Sequence, residues 1–206
     1  FVQIEPKDLY REERAAEQLE AMDREILSVW PRELVITPDE VRGEHDSLAQ
    51  AIAADEWPTL GEARGRVLFF MNRSDALRDD YTHGGTSLEG RVMFAEGSES
   101  DPWAAVLVLN DPLSSGDRIR AAVEAGYLVR TRADADAEEG RTEDTSRRDA
   151  ALASGAHVVS TDFPAPSEDT SYWVEMPGGT PSRCNPVSAP ESCTPEAIED
   201  PAHLSP

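Results

Sequence analysis

Residues 127–134 read Tyr127-Leu128-Val129-Arg130-Thr131-Arg132-Ala133-Asp134. Side chains alternate along an extended chain, so Arg130, Arg132 and Asp134 share one face, and Tyr127, Val129 and Ala133 share the other. Two other stretches repeat this charge segregation. Gln3, Glu5 and Lys7 fall on one face of the first strand, and Ser160 and Asp162 on one face of the run from His157 to Phe163. Such strands suit a parallel barrel: the apolar face meets surrounding helices, and the polar face lines the lumen near its mouth.

Outward from this strand, the chain alternates strands with helices, which implies a parallel sheet. Upstream, Ser115 to Ala125 reads as a helix stopped by Gly126, and Ala104 to Leu109 as a strand ending in Asn110-Asp111-Pro112. Val92 to Ala95 reads as a short strand. Arg66 to Asn72 holds a continuous apolar run, as in a strand buried on both faces, and a polar loop over 73–90 follows it. Between residues 32 and 64, Thr37–Glu40, Ser47–Gln50 and Thr59–Glu62 each carry the spacing of a capping box, predicting three short helices. Ala15, Leu19, Met22 and Ile26 mark one face of a helix from about Asp8 to Trp30, stopped by Pro31. Downstream, Ser146–Asp149 opens a helix that closes at Gly155, and His157 to Phe163 forms the last strand. No strand is followed by G-x-G-x-x-G, so dinucleotide binding has no support.

The chain has 206 residues with a formal charge of −22. That acidic excess argues against nucleic acid as a partner and against tight adsorption to anionic membranes, and it suits hard divalent cations. No apolar run approaches the roughly 18 residues of a transmembrane segment. The only cysteines, Cys184 and Cys193, have eight residues between them in a Pro/Ser-rich tail. A short disulfide in an exported, extracellular protein is the expected pairing. Residues 1–195 are expected to form one barrel-type domain with its disulfide-bearing tail, and 196–206 a disordered end.

The blocks WPTLGEARGRVLFFM, GRVMFAEG, NDP, GYLVRTRADAD, DTSRRDAALASGAHVVSTDFP and PGGTPSRCNPV occur in that order. Together they resemble the calcium-dependent phosphoinositide phospholipase C family, across nearly the whole chain. The wider resemblance is to barrel phosphodiesterases, including glycerophosphodiester phosphodiesterases, which share the Thr161-Asp162-Phe163-Pro164 type of motif. The resemblance implies an α/β fold, a partial (β/α)8 TIM-type barrel. It implies that an inositol hydroxyl attacks the phosphodiester and expels diacylglycerol, with Ca2+ as cofactor and phosphoinositide lipid at a membrane surface as substrate. A full-length protein is expected to be a monomer. A complete barrel has about 250 residues, and the chain opens on Phe1 directly in a strand, so the first strands and the family's catalytic histidines are expected upstream. The chain by itself is then expected to be inactive.

Within that frame, Glu5 matches a carboxylate of the family's calcium site, the alternative being a surface pair with Lys7. Lys7 is a candidate for the substrate phosphate, or for a salt bridge. Arg130 and Arg132 offer guanidinium forks suited to phosphate, the alternative being structural pairs with Asp134 or Asp162. Asp134 and Asp162 could orient a histidine or bind inositol hydroxyls, the alternatives being an arginine partner or a helix cap. Asn72 ends its strand at the active-site edge. His45, His83, His157 and His203 match none of the family's catalytic positions. Two other functions stay open: a glycerophosphodiester phosphodiesterase, and a non-catalytic secreted binding module.

Overall fold

The computed structural model describes residues 1–7, 14–180 and 182–200. The expected helix start at Asp8 and the end of the tail with His203 lie outside these residues. The chain falls into two compact units, with the boundary after Leu107.

The first unit is organised on strand β3 (Val67–Met71). Strand β1 (Val2–Ile4) pairs with it in parallel, Val2 opposite Phe69 and Ile4 opposite Met71. Strand β2 (Val35–Ile36) pairs in parallel with Val67 and Leu68, and β4 (Phe94–Ala95) with Phe70 and Met71. The apolar run of β3 is buried as its composition demands: Leu68, Phe69, Phe70 and Met71 are all inside. Full burial of each such side chain stabilises by about 1.5–3 kcal/mol. The two-residue strand β2 went unanticipated, because Val35 and Ile36 are too few to show a period.

Helix α1 (Ala15–Val29) buries Leu19 and Ile26. The three capping sequences diverge. Before α4 (Leu60–Ala63), Thr59 and Glu62 form the full reciprocal box. Before α3 (Leu48–Ala53), Ser47 accepts from the Gln50 N–H at 3.2 Å. Before α2 (Pro38–Arg42), Thr37 makes no side-chain cap, and Glu40 is instead drawn to the Arg66 guanidinium. A charged, fork-shaped donor outcompetes a single backbone N–H.

The expected loop after β3 contains helix α5 (Ala76–Tyr81). Asp75 caps it, accepting from Leu77 N–H, and Leu77 and Tyr81 face the core one turn apart. Tyr81 is 0% exposed. Its hydroxyl donates to Asp23 of α1 at 2.7 Å and accepts from the Met93 N–H at 2.9 Å. Arg91 lies over the Tyr81 ring, 4.5 Å from its centroid, and 3.7 Å from Asp23. Burial pushes the Asp23 carboxyl above its ordinary range, against the pull of Tyr81 and Arg91. Tyr81→Phe removes the one group that satisfies both Asp23 and Met93. It is expected to destabilise by about 2–3 kcal/mol, read as a lower urea midpoint at unchanged slope; an unchanged midpoint contradicts this account of the network.

The second unit continues from the end of strand β5 (Val106–Val108). Strand order is β5-β6-β7, with β6 at Leu128–Arg132 and β7 at Val158–Ser160. β6 and β7 are parallel, Arg130 opposite Val158 and Arg132 opposite Ser160. Helix α6 (Pro112–Glu124) precedes β6 and ends before Gly126, whose φ of +91° is the left-handed turn a glycine permits. A first turn from Pro112 precedes the expected start, because Pro112 fits a first helical turn, and the backbone kinks at Ser115 (φ −117°, ψ 15°) before the main helix. Helix α7 (Glu138–Thr142) follows β6, then α8 (Ser146–Ala153). Here Ser146 is not the cap: its N–H donates to Asp144, while the Thr145 hydroxyl donates to Asp149.

Cys184 and Cys193 form the expected disulfide. In the chain-entropy account, closing so short a loop stabilises by about 2–3 kcal/mol. Pro195–Glu199 is a short helix, α9, that runs into the stretch expected to be disordered from residue 196, and Thr194 accepts from Ala197 N–H. No helix among the described residues is long and apolar enough to cross a membrane.

Candidate active site

In parallel barrels chemistry collects where strands end, and each unit has such a set. In the first, Asn72 follows β3 and its N–H donates to Ile4 of β1 at 2.8 Å. That bond sets Glu5 level with Asn72. Glu5 is exposed and 2.5 Å from Lys7, also exposed. Arg73 straps the same edge, donating to the Pro6 carbonyl and to Asp75. Glu96 follows β4, and its N–H donates to Met71. The Asn72 side-chain amide has no hydrogen-bond partner among the described residues. Arg73 and Glu96 were not foreseen, although Glu96 directly follows β4 and Arg73 is the second residue after β3.

In the second unit, Arg130 and Arg132 stand two residues apart within β6, and Asp134 lies beyond its end. Arg130 is 7% exposed, and its guanidinium donates to the Asn110 side-chain oxygen just beyond β5. Arg132, one step nearer the strand end, is half-buried. No carboxylate stands within 4.0 Å of it among the described residues. Asp162 is exposed beyond β7.

Asp134 is 3% exposed and already engaged. One oxygen accepts from the Thr161 hydroxyl at 2.5 Å and the other from the Asp162 N–H at 2.9 Å. The Tyr172 hydroxyl donates to the Ala133 carbonyl at 2.8 Å and lies 3.4 Å from Asp134. Burial, followed by the neighbouring Asp134 charge, pushes the Tyr172 phenol well above its usual range. Thr161 in turn accepts from the Phe163 N–H at 2.9 Å, and Phe163 meets Tyr172 edge-on at 5.2 Å. Gly140 of α7 lies against the Phe163 ring so closely that a Cβ would stand 2.1 Å from it. The Thr-Asp-Phe-Pro sequence is therefore a latch: Thr161 and Phe163 fix the strand end and leave the Asp162 side chain outside.

A second network stiffens the loop after β6. Glu139 is buried; it accepts from Ala135 N–H at 2.8 Å and from Arg147 at 2.7 Å. Arg147 also reaches Asp111 at 3.1 Å. Burial raises the Glu139 carboxyl, but the Ala135 N–H and the Arg147 guanidinium outweigh it and hold the group below its ordinary value. A lowered folded-state pKa gives stability that is present above the unfolded value and lost as pH falls through the folded one. Glu139→Gln is therefore expected to flatten the fall in melting temperature between about pH 6 and about pH 3; an unchanged acid profile overturns this.

The three described histidines lie elsewhere. His45 is 3.3 Å from Glu56, His83 sits in a turn with φ +53°, and His157 begins β7, its Nδ1 accepting from Val129 N–H at 3.2 Å.

Residues 5–186 match the family described as phosphoinositide phospholipase C, Ca2+-dependent. A comparison with curated proteins finds no significant match. Among solved structures, a Ca2+-dependent phosphatidylinositol-specific phospholipase C from Streptomyces antibioticus is similar, at 16% identity and a TM-score of 0.55. The similarity covers 78% of this chain and 62% of that one. At this identity the likeness shows the fold, an α/β arrangement of the partial (β/α)-barrel type. The chain belongs to the Ca2+-dependent phosphoinositide phospholipase C family.

The family's calcium is a demanding ligand, taking about six to eight oxygens. Among the described residues no three His, Cys, Asp or Glu side chains are grouped to hold a metal ion. Glu5 supplies one carboxylate at a strand end. The described residues do not form a calcium shell by themselves.

Proposed function

We propose that this protein is a secreted phosphodiesterase that cleaves phosphatidylinositol into diacylglycerol and an inositol phosphate. The observation that carries the reading is Arg132. In a chain with 41 acidic and 19 basic residues, most half-buried arginines are matched to a carboxylate. Arg132 is half-buried at the end of β6 with none within 4.0 Å among the described residues. Burying a guanidinium without a counter-charge is costly, and a phosphate diester supplies the missing anion with two acceptors for its fork.

In the reaction an inositol hydroxyl oxygen forms a bond to phosphorus as the bond from phosphorus to the diacylglycerol oxygen breaks. A base takes the hydroxyl proton and an acid returns one to the leaving oxygen. Arg132 would hold the phosphoryl oxygens, with Arg130 and Asn110 behind it as a fixed support. Asp162 would bind the inositol hydroxyls, and Asp134 would hold it through its bond to the Asp162 N–H. In the first unit, taken by itself, the strand-end residues Lys7 and Asn72 are candidate contacts for a phosphate head group, and Glu5 is a candidate calcium ligand. On this reading the acid and base lie outside the described residues, since the three described histidines, His45, His83 and His157, stand away from the C-terminal strand ends. The substrate separates this reading from a glycerophosphodiesterase. Protein expressed from its complete reading frame is expected to turn over phosphatidylinositol and to leave glycerophosphodiesters intact; the reverse preference rejects the lipase.

A further inference from the structure

At the start of β7, away from the strand ends described above, the second unit has a cavity of about 180 Å3. Leu152, Val159, Met176 and Pro186 give it an apolar wall, and His157 and Arg183 stand in the same lining. An apolar cavity of about 150 Å3 accepts a benzene ring, so the space suits one ring or a branched chain of that size.

The polar side of the cavity offers donors and little else. Asn185 is used up, donating to the Gly155 carbonyl and accepting from the Val187 and Ser188 N–H groups. The Ser182 hydroxyl is committed to Glu199. Arg183 spends one terminal nitrogen on the Leu152 carbonyl, near the end of α8. The rest of its fork has no partner, and no carboxylate stands within 4.0 Å of it among the described residues. His157 accepts at Nδ1 from Val129 N–H, which fixes the proton of the neutral ring on Nε2. The residue as a whole is exposed, yet protein atoms crowd its ring, and that desolvation holds its pKa below the ordinary value. The ring is neutral at neutral pH, with Nε2–H unpartnered among the described residues.

We propose that this cavity is a binding site for a small carboxylate with an apolar body. The carboxylate would take the Arg183 fork and the His157 Nε2–H, and the body the wall from Leu152 to Pro186. Nothing in this depends on the phospholipase reading. The pairing also selects against a free phosphate, which carries no apolar body to fill the far wall.

The test is titration of the 206-residue protein with benzoate and, separately, with inorganic phosphate, followed by amide chemical shifts. Benzoate is expected to bind saturably, with shifts clustered at residues 156–159 and 183–187. Arg183→Gln is expected to weaken it about tenfold or more, and Arg183→Lys to weaken it less. His157→Phe, which keeps the ring and removes the donor, is a second variant should Arg183→Gln fail to fold, and it should also weaken benzoate. No saturable benzoate shift at these residues overturns the proposal, as does phosphate binding there more tightly than benzoate.

Discussion

Arg132→Ala is expected to lower kcat/KM for phosphatidylinositol about a hundredfold, with kcat carrying most of the loss. A guanidinium that faces developing phosphoryl charge in a partly desolvated site contributes more in the transition state than in the ground state. Removing one such donor group typically costs about 2.7–4 kcal/mol of transition-state stabilisation, and a hundredfold loss is the lower end of that range. Stability should rise slightly or hold, because the alanine relieves a half-buried charge that has no carboxylate within 4.0 Å among the described residues. Arg132→Lys keeps the charge and loses the two-pronged geometry, so it should recover only part of the rate. A purely structural Arg132 would show the opposite split: a lower melting temperature and an unchanged kcat.

Asp134→Ala is the second large effect, and it falls on stability. The substitution strips the acceptor from the Thr161 hydroxyl and from the Asp162 N–H, and removes the nearby partner of the buried Tyr172 hydroxyl. Donors left unpaired in a buried site cost about 1–3 kcal/mol each, so a loss of about 3–4 kcal/mol is expected, measured by urea denaturation. Tyr172→Phe should cost less, because Asp134 keeps its two shorter bonds. A loss below about 1 kcal/mol for Asp134→Ala would show that the latch does not hold the end of β7.

These two residues also show what the sequence made legible. Alternation in residues 127–134 predicted Arg130, Arg132 and Asp134 on one face; the strand itself spans Leu128–Arg132, so period two holds for the two arginines, and Asp134 lies beyond the strand end. What alternation left open was which of the three charges is satisfied. Asp134 is, by the Thr161 hydroxyl and the Asp162 backbone at the end of the neighbouring strand. Arg130 donates to the neutral Asn110 side chain, twenty residues upstream. Those partners are set by strand register, and no local pattern encodes register between distant segments. The short helices between 38 and 63 were legible from capping residues, while α5 was obscured by the polar, glycine-bearing sequence around it. Its signal was present in Asp75 followed by Leu77 and Tyr81. The bond from Glu40 to Arg66 illustrates the same limit: a capping box can be read locally, but a competing cation 26 residues away cannot. Gly140 shows it once more. Its need for a bare backbone comes from the Phe163 ring, which arrives from another strand end.

The most direct test of the central claim is to incubate protein from its complete reading frame with phosphatidylinositol vesicles. Released inositol phosphate is followed with calcium present and after chelation. The account predicts release in calcium, loss of release on chelation, and recovery when calcium is returned. Release that chelation leaves untouched, or none in calcium from folded protein, would contradict it.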